Sequence, residues 1–379
     1  MKQKWIPLAT AMLGCALASG TVSAASWADR VSIGGFSSAN YNRTDNAAPF
    51  NGDENVGHDN QGTWSDSRLG INLNARINDR LRFATQLLGS QGEGFGLNVD
   101  WAFADIGVTD NLNLRAGKVK FPVGLVNEYV DVGYAMPWIR SPVVIYSELS
   151  SMNAPQMTRE GYTGVSFLGN ASAGDLSLNA DLFTGEISLA GAGSEIDNSD
   201  PNNPVLVEHS GPKVRNLVGV AVTADWDDAI VFKASAYQGT MRGMGTGSAM
   251  EGEKHRATMF GVKADVANFI FYGEHARMKM GNLADLKATS WYTTLGYQIG
   301  KVLPHVTYQS YQQGDKGSAS EDKQSIMTAG LRWDWMSGVA LKVELSQIKT
   351  DKGDGLFQLG SNMPGTTVNM VGFGIDTVF

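Results

Sequence analysis

The sequence has almost no cysteine, little charge and no long hydrophobic run, and each absence narrows the class of protein. Cys15 is the only cysteine among 379 residues, so no intramolecular disulfide framework can hold the fold. No apolar run after residue 24 approaches the roughly 20 residues of a membrane-spanning helix, which excludes a helical membrane protein. The net charge is −8, and this acidic balance argues against nucleic acid as a partner.

Glycine, in contrast, is abundant at 45 residues, proline is rare at 11, and the mean hydropathy is only −0.16. Strands that alternate between lipid-facing and water-facing side chains give this balance of moderate hydropathy with many small and polar residues. A soluble array of β-sandwiches could give similar totals. The order of the segments along the chain therefore has to decide between the two classes.

The N-terminal residues carry the features of a secretory signal peptide. Lys2 and Lys4 precede a short apolar stretch over residues 6–18, and small residues at 22–24 offer a cleavage site. The stretch is too short for a membrane anchor. We therefore predict export, with a signal peptide over residues 1–24 and a single domain over residues 25–379 that contains no cysteine.

Apolar residues recur at every second position in several segments, most clearly at the end of the chain. Val371, Phe373, Ile375 and Phe379 share one face of a predicted strand, and Asp376 lies on the other. Side chains of a strand point alternately to its two faces. This period of two predicts strands with one face apolar enough for lipid and the other polar.

The connections between sixteen candidate strands alternate between short and long. Antiparallel transmembrane barrels have short turns at one end and longer loops at the other, and a sheet in lipid must close because lipid cannot pair an open edge. The sequence therefore predicts an all-β, transmembrane antiparallel β-barrel of sixteen strands. Ambiguous alternation near residues 102–105 and 269–277 leaves fourteen or eighteen strands open. The predicted turns lie near 78–80, 109–111, 168–174, 226–228, 267–268, 300–301 and 336–338, and the predicted loops span 45–61, 89–94, 121–160, 185–215, 239–254, 278–287, 312–323 and 347–365.

Across its mature length the sequence resembles the sixteen-stranded porins of Gram-negative outer membranes. The alternation that ends in Phe379, the rhythm of turns and loops, and the run NLRAGK at 113–118 carry this resemblance. That run and the following FPVG at 121–124 look like a strand of the phosphate-selective and related porins. The resemblance implies an outer-membrane location, a homotrimer, contact with outer-membrane lipid and lipopolysaccharide, and recognition of Phe379 by the barrel-assembly machinery.

The longest predicted loop, over residues 121–160, stands where porins carry a constriction loop, and we expect it to fold into the barrel. It contains Glu128, Asp131 and Arg140. Loops of this length inside a compact protein are usually functional. A surface flap packed on the barrel rim remains the alternative.

Basic residues recur on the polar side of the predicted strands, and charged side chains at a narrow passage select the sign of the ion that passes. Arginine also suits bidentate contact with carboxylate or phosphate. Strict alternation would direct Lys118 and Lys120 outward unless a bulge turns them. Pairing with Asp334 or Glu344 could neutralise part of the set, so the selectivity stays open. The candidate pore-lining residues are Arg68, Arg76, Arg82, Arg115, Lys118, Lys120, Glu128, Asp131, Arg140, Arg332 and Lys342.

Three functions follow as hypotheses. The first is a porin, a water-filled channel through which small hydrophilic solutes diffuse, with an anion preference left open. The second is a channel selective for phosphate, sulfate, carboxylate or sugar-like solutes. The third, a barrel enzyme, has no support from any Ser–His pair on the lipid-facing wall. We predict the first, with no catalytic residue and no cofactor. The five histidines are scattered without metal-ligand spacing, so we predict no metal site.

Overall fold

The computed structural model describes residues 30–53, 56–57, 61–91, 94–147, 161–188, 193–197, 205–209, 211–244, 248–281 and 286–379. The predicted signal peptide lies outside these residues.

Sixteen antiparallel strands close into a barrel, and the predicted fold and strand number are confirmed. The chain visits the strands in order around the ring. Two further strands, β8 and β9, form a separate hairpin between β7 and β10. The strands are β1 Val31–Thr44, β2 Arg68–Arg76, β3 Leu81–Ser90, β4 Asn98–Thr109, β5 Leu112–Lys120, β6 Gly161–Ala173, β7 Leu176–Ser188, β8 Gly193–Asp197, β9 Val205–His209, β10 Lys213–Trp226, β11 Ile230–Arg242, β12 Lys254–Val266, β13 Phe269–Met280, β14 Lys287–Tyr297, β15 Val302–Gln313, β16 Asp322–Met336, β17 Val339–Lys352 and β18 Thr367–Val378.

The barrel closes where β1 pairs with β18, with Phe36 opposite Val378. The backbone groups of Phe379 exchange two hydrogen bonds with Gly35, at 2.9 and 3.0 Å. A Cβ atom at Gly35 would lie 2.6 Å from the Phe379 ring, so this approach requires glycine. Closure leaves β1 and β18 without an open edge, as a sheet in lipid requires.

The two faces of the wall follow the alternation of the sequence. In β18, Phe373 and Ile375 are 51% and 48% exposed on the outer face, whereas Asp376 is buried on the inner face. The same outward placement holds for large apolar residues of other strands. Such exposure is expected of a surface that lipid covers. These residues include Phe83, Leu182, Phe232, Phe260, Leu295 and Leu345.

Short turns join the strands at the end of the barrel that we call the turn end, and the opposite end is the loop end. Asp227, Asp228, Ala267 and Asn268 have positive φ angles of 50–71° in two of these turns. Asparagine and aspartate tolerate this conformation. Exposed aromatic residues surround the turn end, as expected at a membrane interface. They are Trp226, Phe269, Tyr297, Trp333 and Trp335.

Several predicted connections differ from the structure. The loop predicted over 347–365 begins only after Lys352, and the loop predicted over 45–61 extends to the start of β2 at Arg68. The turn predicted over 168–174 is confined to Gly174 and Asp175, because β6 continues to Ala173 and its last small, polar residues resemble a turn in composition. The loop predicted over 185–215 contains the hairpin of β8 and β9. Among the described residues, no helix is both long and apolar enough to span a membrane.

Candidate functional site

Residues 121–147, which we call the inner segment, leave the loop end of β5 and turn into the barrel. The segment contains short 3-10 turns at Asn127–Tyr129 and Gly133–Ala135 and one helical turn at Val143–Tyr146. Its apolar side chains are almost fully buried, including Val123 and Trp138. The remainder of the predicted loop, residues 148–160, lies outside the described residues.

The inner segment reaches the wall opposite its origin. Counting around the ring in either direction, β15 is the eighth strand from β5. The indole Nε1 of Trp138 donates hydrogen bonds to the hydroxyls of Thr294 on β14 and Thr307 on β15, at 3.1 and 3.0 Å. The Trp138 ring also lies edge-on to Tyr272, with 4.9 Å between the ring centroids. Trp138 therefore fixes the segment to the far wall through both polar and apolar contacts.

Arg332 and Lys342 lie between the inner segment and the far wall. Lys342 Nζ donates to the carbonyl oxygens of Gly133 and Trp138 at 2.8 and 2.6 Å. Arg332 Nη1 donates to those of Tyr134 and Met136 at 2.6 and 2.8 Å. An irregular buried segment needs such donors for its carbonyl groups. Both side chains are 1% exposed. They lie on the inner face as expected, but beneath the segment rather than on an open pore surface.

Two wall carboxylates accept hydrogen bonds from the same segment. Glu274 Oε1 accepts from the Leu125 N–H at 2.8 Å, and Glu344 Oε1 accepts from the Ile139 N–H at 3.1 Å. Glu274 was not among the pore-lining residues expected from the sequence. A carboxylate on the inward side of β13 could have indicated it, but the alternation of polar and apolar residues in that strand was ambiguous. The wall thus supplies both donors and acceptors to the segment.

On the near wall, three expected pore residues join one network at the start of the segment. Lys120 Nζ contacts Asp131 at 2.7 Å and Asp100 at 3.1 Å, and Arg68 contacts Asp131 at 3.5 Å. The pairing of β3 with β4 shifts register beside Asp100, which places its carboxylate on the inner side with Gln86. Lys120 is 9% exposed and reaches inward to these two carboxylates, against strict alternation.

Two other expected residues of the segment pair with neighbouring elements. Arg140 forms ion pairs with Asp66 and with Asp53, the latter at 3.8 Å, and thereby ties the segment to the connection between β1 and β2. Glu128 pairs with Lys233 of β11 at 2.6 Å, and its side chain remains 48% exposed.

Lys118 differs from its expected pore-lining position. It lies opposite Ala102 on β4. The adjacent residue pair, Phe103 and Gly117, faces inward, so Lys118 and Ala102 face outward. Its side chain is exposed, and its Nζ donates to the carbonyl oxygen of Val99 at 2.7 Å. Alternation of β5 therefore places Lys118 on the outer face.

The remaining expected residues, Arg76, Arg82 and Arg115, form what we call the arginine wall. Arg76 lies opposite Arg82 in the pairing of β2 with β3. Arg82 and Arg115 both contact Asp105 Oδ2, at 3.2 and 3.0 Å. The guanidinium of Arg115 also lies over the Phe103 ring, 4.3 Å from its centroid. Asp105 thus contacts the guanidinium groups of both Arg82 and Arg115 on the inner face, and the Phe103 ring contacts that of Arg115.

The described residues include no group of three or more His, Cys, Asp or Glu side chains arranged to hold a metal ion. The absence of a metal and of a cofactor stays a prediction.

Comparison with known proteins identifies the family. The family of Gram-negative porins matches residues 9–353. The chain is a Gram-negative porin. As members of this family do, it lies in the outer membrane and forms a channel through which small solutes diffuse. No curated protein matches the sequence significantly.

Solved structures of other outer-membrane proteins share the fold. An anion-selective porin from Comamonas acidovorans is 14% identical, with 92% of this porin and 99% of that chain covered and a TM-score of 0.58. OmpF of Salmonella typhi, in complex with daunomycin, is 16% identical, with 92% and 97% covered and a TM-score of 0.60. The trimer form of OmpT from Vibrio cholerae is 11% identical, with 92% and 99% covered and a TM-score of 0.53.

Proposed function

We propose that this porin prefers anions and that its ion path runs past the arginine wall. The distribution of charge on the inner face supports this proposal. Arg82 and Arg115 both pair with Asp105, with side chains 34% and 11% exposed, and Arg76 lies directly opposite Arg82. Fixed positive charge on a pore wall attracts anions and repels cations.

The inner segment is the constriction in this proposal. Its contacts with β13 to β18 occupy the far side of the lumen, and Phe121 at its start packs against β6 and β7. The proposed passage for solutes therefore runs beside the arginine wall on β2, β3 and β5. The exposed carboxylate of Glu128 marks the edge of the segment that faces this passage. Lys233 binds that carboxylate at 2.6 Å, so the pair adds no net charge to the path.

We propose that solutes cross the channel by passive diffusion, and that the porin neither catalyses a reaction nor transports one dedicated substrate. A sixteen-stranded barrel is wide enough for a water-filled channel, and the arginine wall is a charged surface without a nucleophile beside a base. The alternative is a channel selective for phosphate, sulfate, carboxylate or sugar-like solutes. It predicts saturable block of the current by one of these solutes at submillimolar concentration.

We also propose a homotrimer, as the trimer form of the Vibrio cholerae protein suggests, and an outer surface covered by lipid and lipopolysaccharide. The exposed ring of Phe379 next to the apolar face of β18 is proposed to contact the barrel-assembly machinery. Cross-linking of the membrane-inserted protein tests the trimer.

The reversal potential in planar bilayers under a tenfold KCl gradient tests the selectivity. We expect the unaltered porin to favour chloride. Replacing Arg82→Gln and Arg115→Gln together removes two positive charges from the wall and should shift the potential towards that of a non-selective channel. Lys118→Gln removes a charge from the outer face and serves as the control, with an unchanged potential. Equal shifts in both variants, or none in the double variant, would place the ion path elsewhere.

A further inference from the structure

Methionine is concentrated on three neighbouring strands of the barrel. Six of the 15 methionines of the chain lie within residues 241–280, a range that contains the end of β11 and all of β12 and β13. Three of the six share the inner face of these strands, near the loop end, with one histidine. We call Met241, His255, Met278 and Met280 the thioether cluster.

The side chains of the thioether cluster face the lumen. His255 and Met278 are 5% and 2% exposed, whereas the intervening cations Arg256 and Lys279 are exposed on the outer face. This difference follows from the alternation of side chains along a strand. Met280, the last residue of β13, is only partly buried, so the cluster can be reached from the loop end.

The strand register brings the members of the cluster together. Met280 lies directly opposite His255 in the pairing of β12 with β13, and Met278 lies diagonally across from His255 in the same pairing. Met241 lies diagonally across from His255 on the other side, in the pairing of β11 with β12. Residues at opposite positions have Cβ atoms about 5 Å apart, and diagonal neighbours lie about 7–8 Å apart, within reach of long side chains. The imidazole of His255 therefore has thioethers on both sides.

The imidazole of His255 also has an unfilled bonding position. Its Nδ1 atom is buried and has no hydrogen-bond partner among the described residues. The Tyr237 ring packs beside the imidazole, with 5.5 Å between the ring centroids. Buried polar atoms of native proteins nearly always have a partner, and an exception points to a bound water or ion. Imidazole nitrogen is also the commonest side-chain ligand of metal ions.

Thioether sulfur and imidazole nitrogen together form a ligand set for soft metal ions. Sulfur ligands select ions such as Cu(I), whereas Mg²⁺ and Ca²⁺ prefer oxygen. The carboxylate of Glu253 lies against Gly281, the residue that follows Met280. This carboxylate places negative charge beside the accessible member of the cluster. The arrangement therefore favours a soft cation over an anion or a hard cation.

We propose that the thioether cluster binds a soft monovalent metal ion, Cu(I) or Ag(I), at the loop-end mouth of the porin. His255 Nδ1 and the sulfur atoms of Met278 and Met280 are the ligands, and Met241 completes the set. The spacing of the histidines predicted no metal site because that prediction did not consider thioethers, and the proposal revises it. The site depends neither on the arginine wall nor on the anion preference.

The first test measures binding of Ag⁺ to the detergent-solubilised full barrel by titration calorimetry. Nitrate replaces chloride in the buffer because chloride precipitates Ag⁺. Met278→Leu with Met280→Leu removes two sulfur atoms, and exchange of methionine for leucine nearly conserves side-chain volume. Met327→Leu with Met336→Leu removes two exposed thioethers of β16 and is the matched control.

The expected effects follow from the number of ligands that each variant loses. Even the partners behind metal ligands contribute about 10- to 100-fold each to affinity. Loss of two direct ligands in the Met278→Leu, Met280→Leu variant should therefore weaken Ag⁺ binding at least about a hundredfold. His255→Gln removes the imidazole and should weaken binding at least about tenfold. The control should bind Ag⁺ as the unaltered porin does.

Oxidation by peroxide, mapped by mass spectrometry, identifies the ligands directly. Peroxide converts a thioether to a sulfoxide, and a sulfur atom that binds a metal ion reacts more slowly. Bound Ag⁺ should therefore slow the oxidation of Met278 and Met280. The oxidation of Met327 on the outer face should not change.

Three outcomes would overturn the proposal. Unchanged Ag⁺ affinity of the Met278→Leu, Met280→Leu variant would show that these methionines only fill the apolar core. An equal loss in the control would indicate unspecific binding to exposed thioethers. Zn²⁺ bound as tightly as Ag⁺ would indicate a site without preference for soft ions. Channel conductance, measured on the same variants, verifies that each barrel is folded.

Discussion

At the scale of single residues, the structure shows how one buried charge pair joins the inner segment to the barrel. Lys342 Nζ lies 2.6 Å from the carboxylate of Asp376, and both side chains are 1% exposed. The hydroxyl of Ser38 also contacts Asp376, at 2.5 Å. Removal of one partner from such a pair leaves a buried charge without compensation. The pair is therefore a sensitive point of the structure.

Lys342→Met should destabilise the protein strongly because Asp376 keeps its charge in a buried site. We expect a loss of about 3–5 kcal/mol in the free energy of unfolding, measured by urea unfolding in lipid vesicles. The double variant Lys342→Met with Asp376→Asn removes both charges and should recover part of this loss. Equal losses in the single and double variants would show that the hydrogen bonds of Lys342 to the inner segment, rather than the charge pair, carry the effect.

Gly133 allows the inner segment to approach this pair closely. A Cβ atom there would lie 2.1 Å from Asp376 Oδ1, so Gly133→Ala should force the segment away from β18 and cost about 1–3 kcal/mol. A Cβ atom at Gly169 would lie 4.0 Å from the carbonyl oxygen of Asn111, so Gly169→Ala is the control. Heat-induced unfolding measures both variants, and an unchanged transition for Gly133→Ala would contradict this contact.

The positions and contacts of individual side chains were only partly predictable from the sequence. Alternation placed Arg332 and Lys342 on the inner face, and the structure agrees. It could not reveal that backbone carbonyls of residues 133–138 would cover them, because those carbonyls belong to an irregular segment without periodicity. Likewise, the inward position of Asp100, which pairs with Lys120, depends on a change of register that no local pattern indicates.

At the scale of elements, strands were more predictable than the connections between them. The pattern of a strand repeats every two residues, so the sequence itself indicates which side chains face outward and which face inward. The inner segment packs through contacts with strands more than 100 residues away, such as those of Trp138 with Thr294 and Thr307. The sequence indicated that the loop folds inward through a family resemblance, not through a physical pattern of its own.

The loop between β15 and β16 should loosen in acid. Glu321 accepts hydrogen bonds from Lys352 Nζ at 2.5 Å and from the Gly317 N–H at 2.7 Å, and these contacts lower the pKa of Glu321. The stabilisation is therefore fully present above the ordinary carboxyl pKa of about 4.3. It is lost as the pH falls through the lowered pKa of the folded state.

Hydrogen exchange of residues 314–321, corrected for its intrinsic pH dependence, measures this loss of protection. We expect full protection at pH 6 and a progressive loss as the pH falls below the ordinary carboxyl pKa of about 4.3. Glu321→Gln carries no titrating carboxyl and should remove most of the difference. A variant with the full pH dependence would assign the effect to another group.

At the scale of the whole molecule, the barrel combines a wall that the sequence predicts with a lumen that the inner segment divides. Sixteen strands followed from alternation, from the asymmetry of turns and loops, and from the need to close a sheet in lipid. The sequence did not predict that the basic residues would have different roles. Arg332 and Lys342 support the segment, Lys118 lies outside, and we propose that the arginine wall borders the ion path.

The most direct measurement is the effect of a charged thiol reagent on current through single-cysteine variants. The only native cysteine, Cys15, lies in the predicted signal peptide, so Arg115→Cys and Lys118→Cys each provide one thiol in the mature barrel. A negatively charged methanethiosulfonate should reduce the chloride current of Arg115→Cys strongly and leave that of Lys118→Cys unchanged. If mass spectrometry shows complete labelling of Arg115→Cys but its current does not change, the ion path does not pass the arginine wall.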